Sequence, residues 1–162
     1  MKNFKELDKR NVHDVETSIL EEWKKIDILN KTIENRKNNS NWVFYDGPAT
    51  ANGMPGLHHM VAKFLKDTFC KYQTMKGHKV LRKVGWDTHG LPVEVNVEKK
   101  LGFTGKNDIE KYGIKEFNEL CKETVWDNEA AFRKLTDEMG QFIDLDNRYI
   151  TYDNNYIETE WW

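Results

Sequence analysis

Three things are scarce in this chain of 162 residues. There is no excess of positive charge: 25 Lys and Arg face 27 Asp and Glu, a formal net charge of −2. A global basic field that would capture nucleic acid is thereby excluded, and any nucleic-acid contact has to be local. No apolar run approaches membrane-spanning length, and the amino-terminal MKNFKELDKR lacks an apolar signal core. The expectation is a cytoplasmic protein with no membrane partner. Cysteine is limited to Cys70 and Cys121, each isolated in an amphipathic segment. Both read as reduced core or half-buried residues rather than a disulfide or metal pair. No zinc knuckle and no other metal-ligating set is predicted. Internal repeats and low-complexity segments are absent too.

What remains suits one soluble folded unit: 38% hydrophobic and 32% charged residues, at a single-domain length. After ten polar residues, Val12, Val15, Ile19, Trp23 and Ile26 recur at helical steps. A polar bridge, Asn35 to Ser40, leads into a β-rich run, Asn41 to Tyr45. A helix beginning near His58 presents Val61, Phe64, Leu65, Thr68, Tyr72 and Met75 as its core face, and Gly77 stops it. Lys79 to Val84 alternates apolar and basic positions as a second strand. Val93 to Leu101 fits helix or strand, and Asn107 to Tyr112 a short helix. The longest helix is predicted from about Ile114 to Met139, burying Phe117, Leu120, Cys121, Thr124, Phe132 and Leu135. Arg148 to Tyr152 reads as a short strand or extended arm, and Asn154 or Asn155 as the cap of a last helix.

The most informative stretch is DGPATANGMPGLHH, Asp46 to His59. A strand enters a loop dense in Gly and Pro, and the loop empties into a helix. That arrangement gathers unpaired backbone N–H groups at one point, which favours an anion such as phosphate. Gly47, Gly53 and Gly56 allow close approach of a ligand, and His58 and His59 add imidazole donors. A turn whose glycines only reverse the chain would give the same pattern. The second strand ends in GWDTHGLP, Gly85 to Pro92. Two parallel strands joined by a helical crossover open their loops on the same sheet edge, where ligands sit in α/β folds. Asp87 there can hold a cation and His89 can donate to an anion; each can equally be a turn residue.

These two blocks resemble class I aminoacyl-tRNA synthetases, and among them the isoleucine–tRNA ligases. The phosphate loop resembles the family's HIGH motif region. GWDTHGLPVE, Gly85 to Glu94, resembles its next block, where the valine and leucine enzymes carry different residues. The resemblance runs from about Val15 to Trp162, through TVW near Thr124 to the terminal YIETEWW. It implies an α/β fold: the first half of a Rossmann-like parallel-sheet nucleotide-binding domain (41–162, incomplete), preceded by an amino-terminal helical extension (1–40). It also implies a fragment, because the half-domain with the KMSKS loop, the editing part and the anticodon-binding part have no counterpart here. Trp161 and Trp162, two aromatics at a terminus, agree with that expectation.

The resemblance further implies activation of isoleucine by ATP with Mg2+, then transfer to tRNA(Ile) by the complete enzyme, with the complementary half-domain as partner. His59 matches the last His of HIGH and is expected on the ATP phosphates. Gly56 stands where the first His usually is and His58 where the Gly is, which leaves open whether His58 takes over the missing donor role. Asn52 and Gly53 match the loop lining the adenosine. Pro48, through its carbonyl, and Asp87, through its carboxylate, match positions that hold the substrate ammonium. Ala49 departs from the second Pro common there. Trp86 and His89 match the second block and are placed near the same pocket. Alone, the chain is expected to be inactive. Two other classes remain: a nucleotidyl transferase of the same superfamily acting on another substrate, and a non-catalytic binding module.

Overall fold

The computed structural model of the protein describes residues 9–50 and 53–162. The reading of a loose amino terminus falls on residues outside this range up to position 8, and the one for Asn52 lies outside it too. Two helices, α1 (Val12–Lys25) and α2 (Ile28–Glu34), come first. Asn11 caps α1 by accepting the His13 N–H. The second helix was not anticipated. Asp27 starts it in the left-handed region (φ 51), and its short sequence shows little apolar periodicity.

The sheet is parallel. β1 (Asn41–Tyr45) pairs with β3 (Lys79–Asp87), which also pairs with β4 (Asp144–Ile150). A two-residue strand, β2 (Ala49–Thr50), pairs with Trp86 and Asp87. Lys83 is registered with both Tyr45 and Asp144, and Trp86 with both Ala49 and Ile150. A strand has only two edges, so β1 and β2 share one side of β3 and β4 takes the other. β3 is longer than the sequence reading allowed. Gly85, Trp86 and Asp87 continue the strand instead of opening a loop. The glycine is what permits this: a Cβ at position 85 would lie 2.0 Å from Cζ of Tyr149 on β4. β4 likewise starts earlier than expected, at Asp144.

α3 (Leu57–Met75) carries the crossover from β1 to β3. It ends where predicted, with Gly77 N–H on the Thr74 carbonyl and His78 N–H on Gln73. From β3 to β4 the chain runs through α4 (Leu91–Leu101), α5 (Lys106–Tyr112), α6 (Ile114–Val125) and α7 (Glu129–Glu138), and α8 (Asn154–Trp161) follows β4, with Asp153 as its N-cap. The ambiguous run is thus helix, started by Pro92 in its first turn. The predicted long helix is two, broken at 126–128. Trp126 donates its indole N–H to the Tyr152 hydroxyl and packs under the Arg148 guanidinium, so packing holds it at the α6 terminus. Trp86, Val93, Val125 and Phe132 form the core between β3 and these helices.

One expectation is reversed. Val61, Phe64, Leu65, Tyr72 and Met75 of α3 are exposed, and the buried residues of that helix are Lys63, Cys70 and Thr74. The helix lays its polar side on the protein. Asp67 there accepts Lys71 and the Phe142 N–H, and Thr74 accepts Arg82 from β3.

Candidate active site

Asp46 fixes the exit of β1. Its N–H donates to the Lys83 carbonyl, its own carbonyl accepts the Tyr149 hydroxyl, and its buried carboxylate pairs with Lys66. The chain then crosses β2 and reaches Gly56, the N-cap of α3. The Gly56 N–H donates to Nδ1 of His59 at 2.9 Å, so His59 fills the role an acidic side chain plays in a capping box. A side chain at position 56 would crowd the His58 ring, since a Cβ there would lie 3.0 Å from it.

This bond assigns the tautomer. An Nδ1 that accepts leaves the proton on Nε2, which becomes a neutral donor. Burial pushes the His59 pKa down, and the neighbouring His58 and Lys63 act in the same direction. The His59 ring stands edge-on to Phe132 at 5.1 Å and 3.9 Å from the His58 ring. No acidic residue occupies the first turn of α3. The helix start therefore presents backbone N–H groups, the positive dipole end and an imidazole N–H without a competing carboxylate, a combination that suits a phosphate.

The second block meets the first at the sheet edge. Thr50 Oγ1 donates to Asp87 Oδ2 at 3.1 Å, joining the Gly/Pro loop to the end of β3. Thr88 and Thr151 are buried beside it. Thr151 Oγ1 accepts the Thr88 N–H at 3.0 Å and lies 2.8 Å from Nδ1 of His89, while Thr88 Oγ1 accepts the Tyr152 N–H. Trp86 lies in the core, 3% exposed, with its ring edge-on to Phe132 at 5.6 Å. Phe132 thus touches both His59 and Trp86 and couples the two sequence blocks.

The predicted residues do not all converge. His59 and Asp87 lie at the same sheet edge. Pro48 is exposed on the loop between β1 and β2, and Gly53 is half-buried. His89 opens instead on a cavity of about 580 Å³ between the segment after β3 and helices α4 and α6, lined also by Thr88, Glu94, Asn118, Cys121 and Tyr152. Another cavity, about 450 Å³ between α1–α2 and Gly140–Asp146, contains none of the predicted residues. Thr50 and Thr151 were missed, because a hydroxyl that anchors a loop carries no local pattern. Among the described residues, no three His, Cys, Asp or Glu side chains converge as a metal site. No helix among the described residues is long and apolar enough to cross a membrane.

Residues 18–162 match the family of tRNA synthetases class I (I, L, M and V). An isoleucine–tRNA ligase of Dehalococcoides mccartyi is 50% identical over 160 residues, covering 98% of this chain and 16% of that protein. One from Streptomyces avermitilis is 51% identical over 148 residues, 91% of this chain and 14% of the relative. The chain thus spans about a sixth of the length of the curated relatives it matches. Among solved structures, the Agrobacterium radiobacter K84 agnB2 LeuRS–tRNA–LeuAMS ternary complex aligns at a TM-score of 0.61 and 17% identity, over 88% of this chain and 16% of that one. That likeness shows the fold: a class I synthetase α/β sheet.

Proposed function

The chain belongs to the class I tRNA synthetases of the I, L, M and V group, and from that premise we propose that it forms the isoleucine-activating edge of an isoleucine–tRNA ligase. The observation that carries this reading is the juncture of the two blocks: Phe132 packs on both His59 at the α3 start and Trp86 beside Asp87, and Thr50 of the Gly/Pro loop bonds the Asp87 carboxylate.

In the proposed reaction, a carboxylate oxygen of isoleucine attacks the α-phosphorus of ATP. The bond from that phosphorus to the oxygen bridging to the β-phosphorus breaks, and pyrophosphate leaves with the electron pair. His59 Nε2–H and the first N–H groups of α3 donate to the phosphate oxygens, where negative charge accumulates. Gly53, with Asn52 beside it in sequence, lines the adenosine. Asp87 and the Pro48 carbonyl hold the substrate ammonium; the carboxylate contact is charge-assisted and so the stronger of the two. Gly56 acts through its N–H on His59, and exposed His58 is a second donor at the helix start. Trp86 backs the amino-acid pocket from the core, packed on Phe132, and His89, turned to the other cavity, acts only by holding Thr151. Mg2+ would supply charge neutralisation on the phosphates. Transfer to tRNA(Ile) takes place in a cytoplasmic enzyme completed by the portions that this chain does not contain.

The test replaces the matched 160 residues of the Dehalococcoides mccartyi relative with this chain and measures amino-acid-dependent pyrophosphate exchange. Exchange driven by isoleucine supports the assignment. Exchange driven by another amino acid, or none in a folded chimera, removes it. In the same chimera Asp87→Asn should weaken isoleucine binding and spare ATP binding; equal isoleucine affinity by calorimetry would contradict the ammonium role.

A further inference from the structure

The inner side of α3 carries more cations than carboxylates. Asp46 at the end of β1 and Asp67 on the helix meet Lys63, Lys66, Lys71 and Arg82 there. Lys66 pairs with Asp46, and Asp67 is shared by Lys71 and Arg82. Lys63 is left over. It is 7% exposed, yet among the described residues its ammonium forms no ion pair, and its hydrogen bond goes to the neutral Gln141 Oε1 at 3.2 Å. An ammonium has three donors, and leaving water without an opposite charge is costly for it. An apolar side chain of similar length would fill the same space without that cost, so stability alone does not account for a lysine here. Burial pushes the Lys63 pKa down and Lys66 acts in the same direction, while Asp46 opposes them. Lys63 follows His59 by four residues, which places the two side chains one turn apart on the same side of the helix.

We propose that Lys63 is a positioning residue for a polyphosphate at the start of α3: its ammonium, sealed under the second turn of the helix without a carboxylate, keeps the His59 ring uncharged with Nε2–H free to donate, and sets fixed positive charge behind the ligand without touching it. Both effects come from one charge. Toward the ring, the ammonium disfavours a second positive charge, so Nδ1 stays an acceptor for the Gly56 N–H and Nε2 stays a donor. Toward the ligand, it adds to the positive end of the helix dipole, and burial spares it the salt screening that a surface lysine undergoes. A protonated His59 would also attract phosphate, but it would give up the Gly56 N–H and with it the orientation of the ring. The groups that face the pair are consistent with this role. His58 at the helix start also opposes protonation of His59, and Phe132 on α7, edge-on to the His59 ring, is apolar. Asp46 from β1 acts on Lys63, but its carboxylate is held by Lys66.

The inference rests on the synthetase reading, and the test separates the two. Lys63→Met, Lys63→Gln and Lys63→Arg are introduced in the Dehalococcoides mccartyi chimera. Calorimetry reads the affinity for inorganic tripolyphosphate. Carbethoxylation of His59, mapped by mass spectrometry across pH, reads the protonation of the ring. Pyrophosphate exchange supplies the Michaelis constants and a pH profile. In Lys63→Met the tripolyphosphate affinity and the Michaelis constant for ATP should each worsen by about tenfold, the order of one charge acting through protein, with the constant for isoleucine unchanged. The protonation midpoint of His59 and the acid limb of exchange should move up toward the ordinary 6.5. Lys63→Gln, neutral but able to bond Gln141, should behave like Lys63→Met, and Lys63→Arg should restore both readouts. The thermal midpoint of Lys63→Met should be no lower than that of the parent, because an unpaired buried charge has been removed. Either an unmoved His59 profile or an unmoved tripolyphosphate affinity in a folded neutral variant overturns the inference. A lowered midpoint alone would leave Lys63 as a structural tie to Gln141 and overturn it as well. Both shifts in a chimera without isoleucine-dependent exchange would retain the role of Lys63 and reject the proposed function; isoleucine-dependent exchange that the neutral variants leave unaltered would do the reverse.

Discussion

In the proposed function His59 has two tasks in one ring. Its Nδ1 secures the Gly56 N–H, and its Nε2–H is left for a ligand. In the chimera, His59→Ala should lower the activation rate on the order of a hundredfold or more, as loss of one transition-state donor does, with a smaller change in the Michaelis constant for isoleucine. Unaltered exchange would dismiss the donor role. The ring also ties folding to pH. Burial, His58 and Lys63 set its folded pKa below the ordinary 6.5. Between the two values the unfolded chain binds more protons than the folded one, so stability rises with pH there. The contribution of neutral His59 is complete above 6.5 and is lost as pH falls through the lowered value. Protonation of Nδ1 also removes the acceptor of the Gly56 N–H. Urea unfolding should therefore show a larger acid loss for the wild-type chain than for His59→Gln; parallel pH profiles would refute it. Gly85 is a different kind of constraint. Gly85→Ala would place a carbon inside the Tyr149 ring, and overpacking of this kind costs about 1–3 kcal/mol or more. A variant with wild-type stability would mean that β3 and β4 can separate at little cost.

The Asp46–His59 and Gly85–Pro92 blocks are connected through the ends of β3 and β4. Thr151 and Thr88 are buried, and Thr151 receives a backbone N–H that has no other described acceptor. Thr151→Val keeps the shape and removes that acceptor, which costs about 1–3 kcal/mol for a buried donor left unpaired. Thr151→Ser should restore most of the loss. Equal stability of the valine and serine variants in urea unfolding would show that the hydroxyl is dispensable. The same elements mark how far local pattern reaches. β1, the start of β3, α3 and the stop at Gly77 were legible, because alternation, helical spacing and a terminal glycine are properties of neighbours in sequence. The junction of the Asp46–His59 and Gly85–Pro92 blocks was legible too, through the rule for parallel strands. Periodicity revealed that α3 has an apolar face but not which way it points. Its orientation depends on Asp46, Arg82 and Gln141, none of which belongs to the helix. Thr50, Phe132 and Thr151 act on partners far along the chain, so no spacing marks them as parts of the site. The break between α6 and α7 depends on Tyr152 and Arg148 holding Trp126, again from another element.

At the scale of the molecule, the site has one wall. A doubly wound nucleotide fold binds its ligand in the crevice where two halves of the sheet meet. Here β1, the strand that feeds the phosphate loop, has a partner on one edge only among the described residues. In the proposed function, His59, the α3 N–H groups and Asp87 therefore contact the ligand from one side. Groups that stabilise a transition state together lose far more than their share when part of the set is missing. The 162-residue chain by itself should accordingly show no isoleucine-dependent pyrophosphate exchange above an enzyme-free control and no charging of tRNA. The exposed faces of Phe64, Phe69, Trp161 and Trp162, together with the open strand edge, should make it self-associate at the concentrations such assays use. Supplying the rest of the Dehalococcoides mccartyi relative as a second chain should both raise its solubility and restore exchange, because in the proposed function one missing portion covers the apolar surfaces and completes the site. Robust exchange by the monodisperse chain alone would show that one wall suffices and would break the link between the uncovered face and the incomplete site.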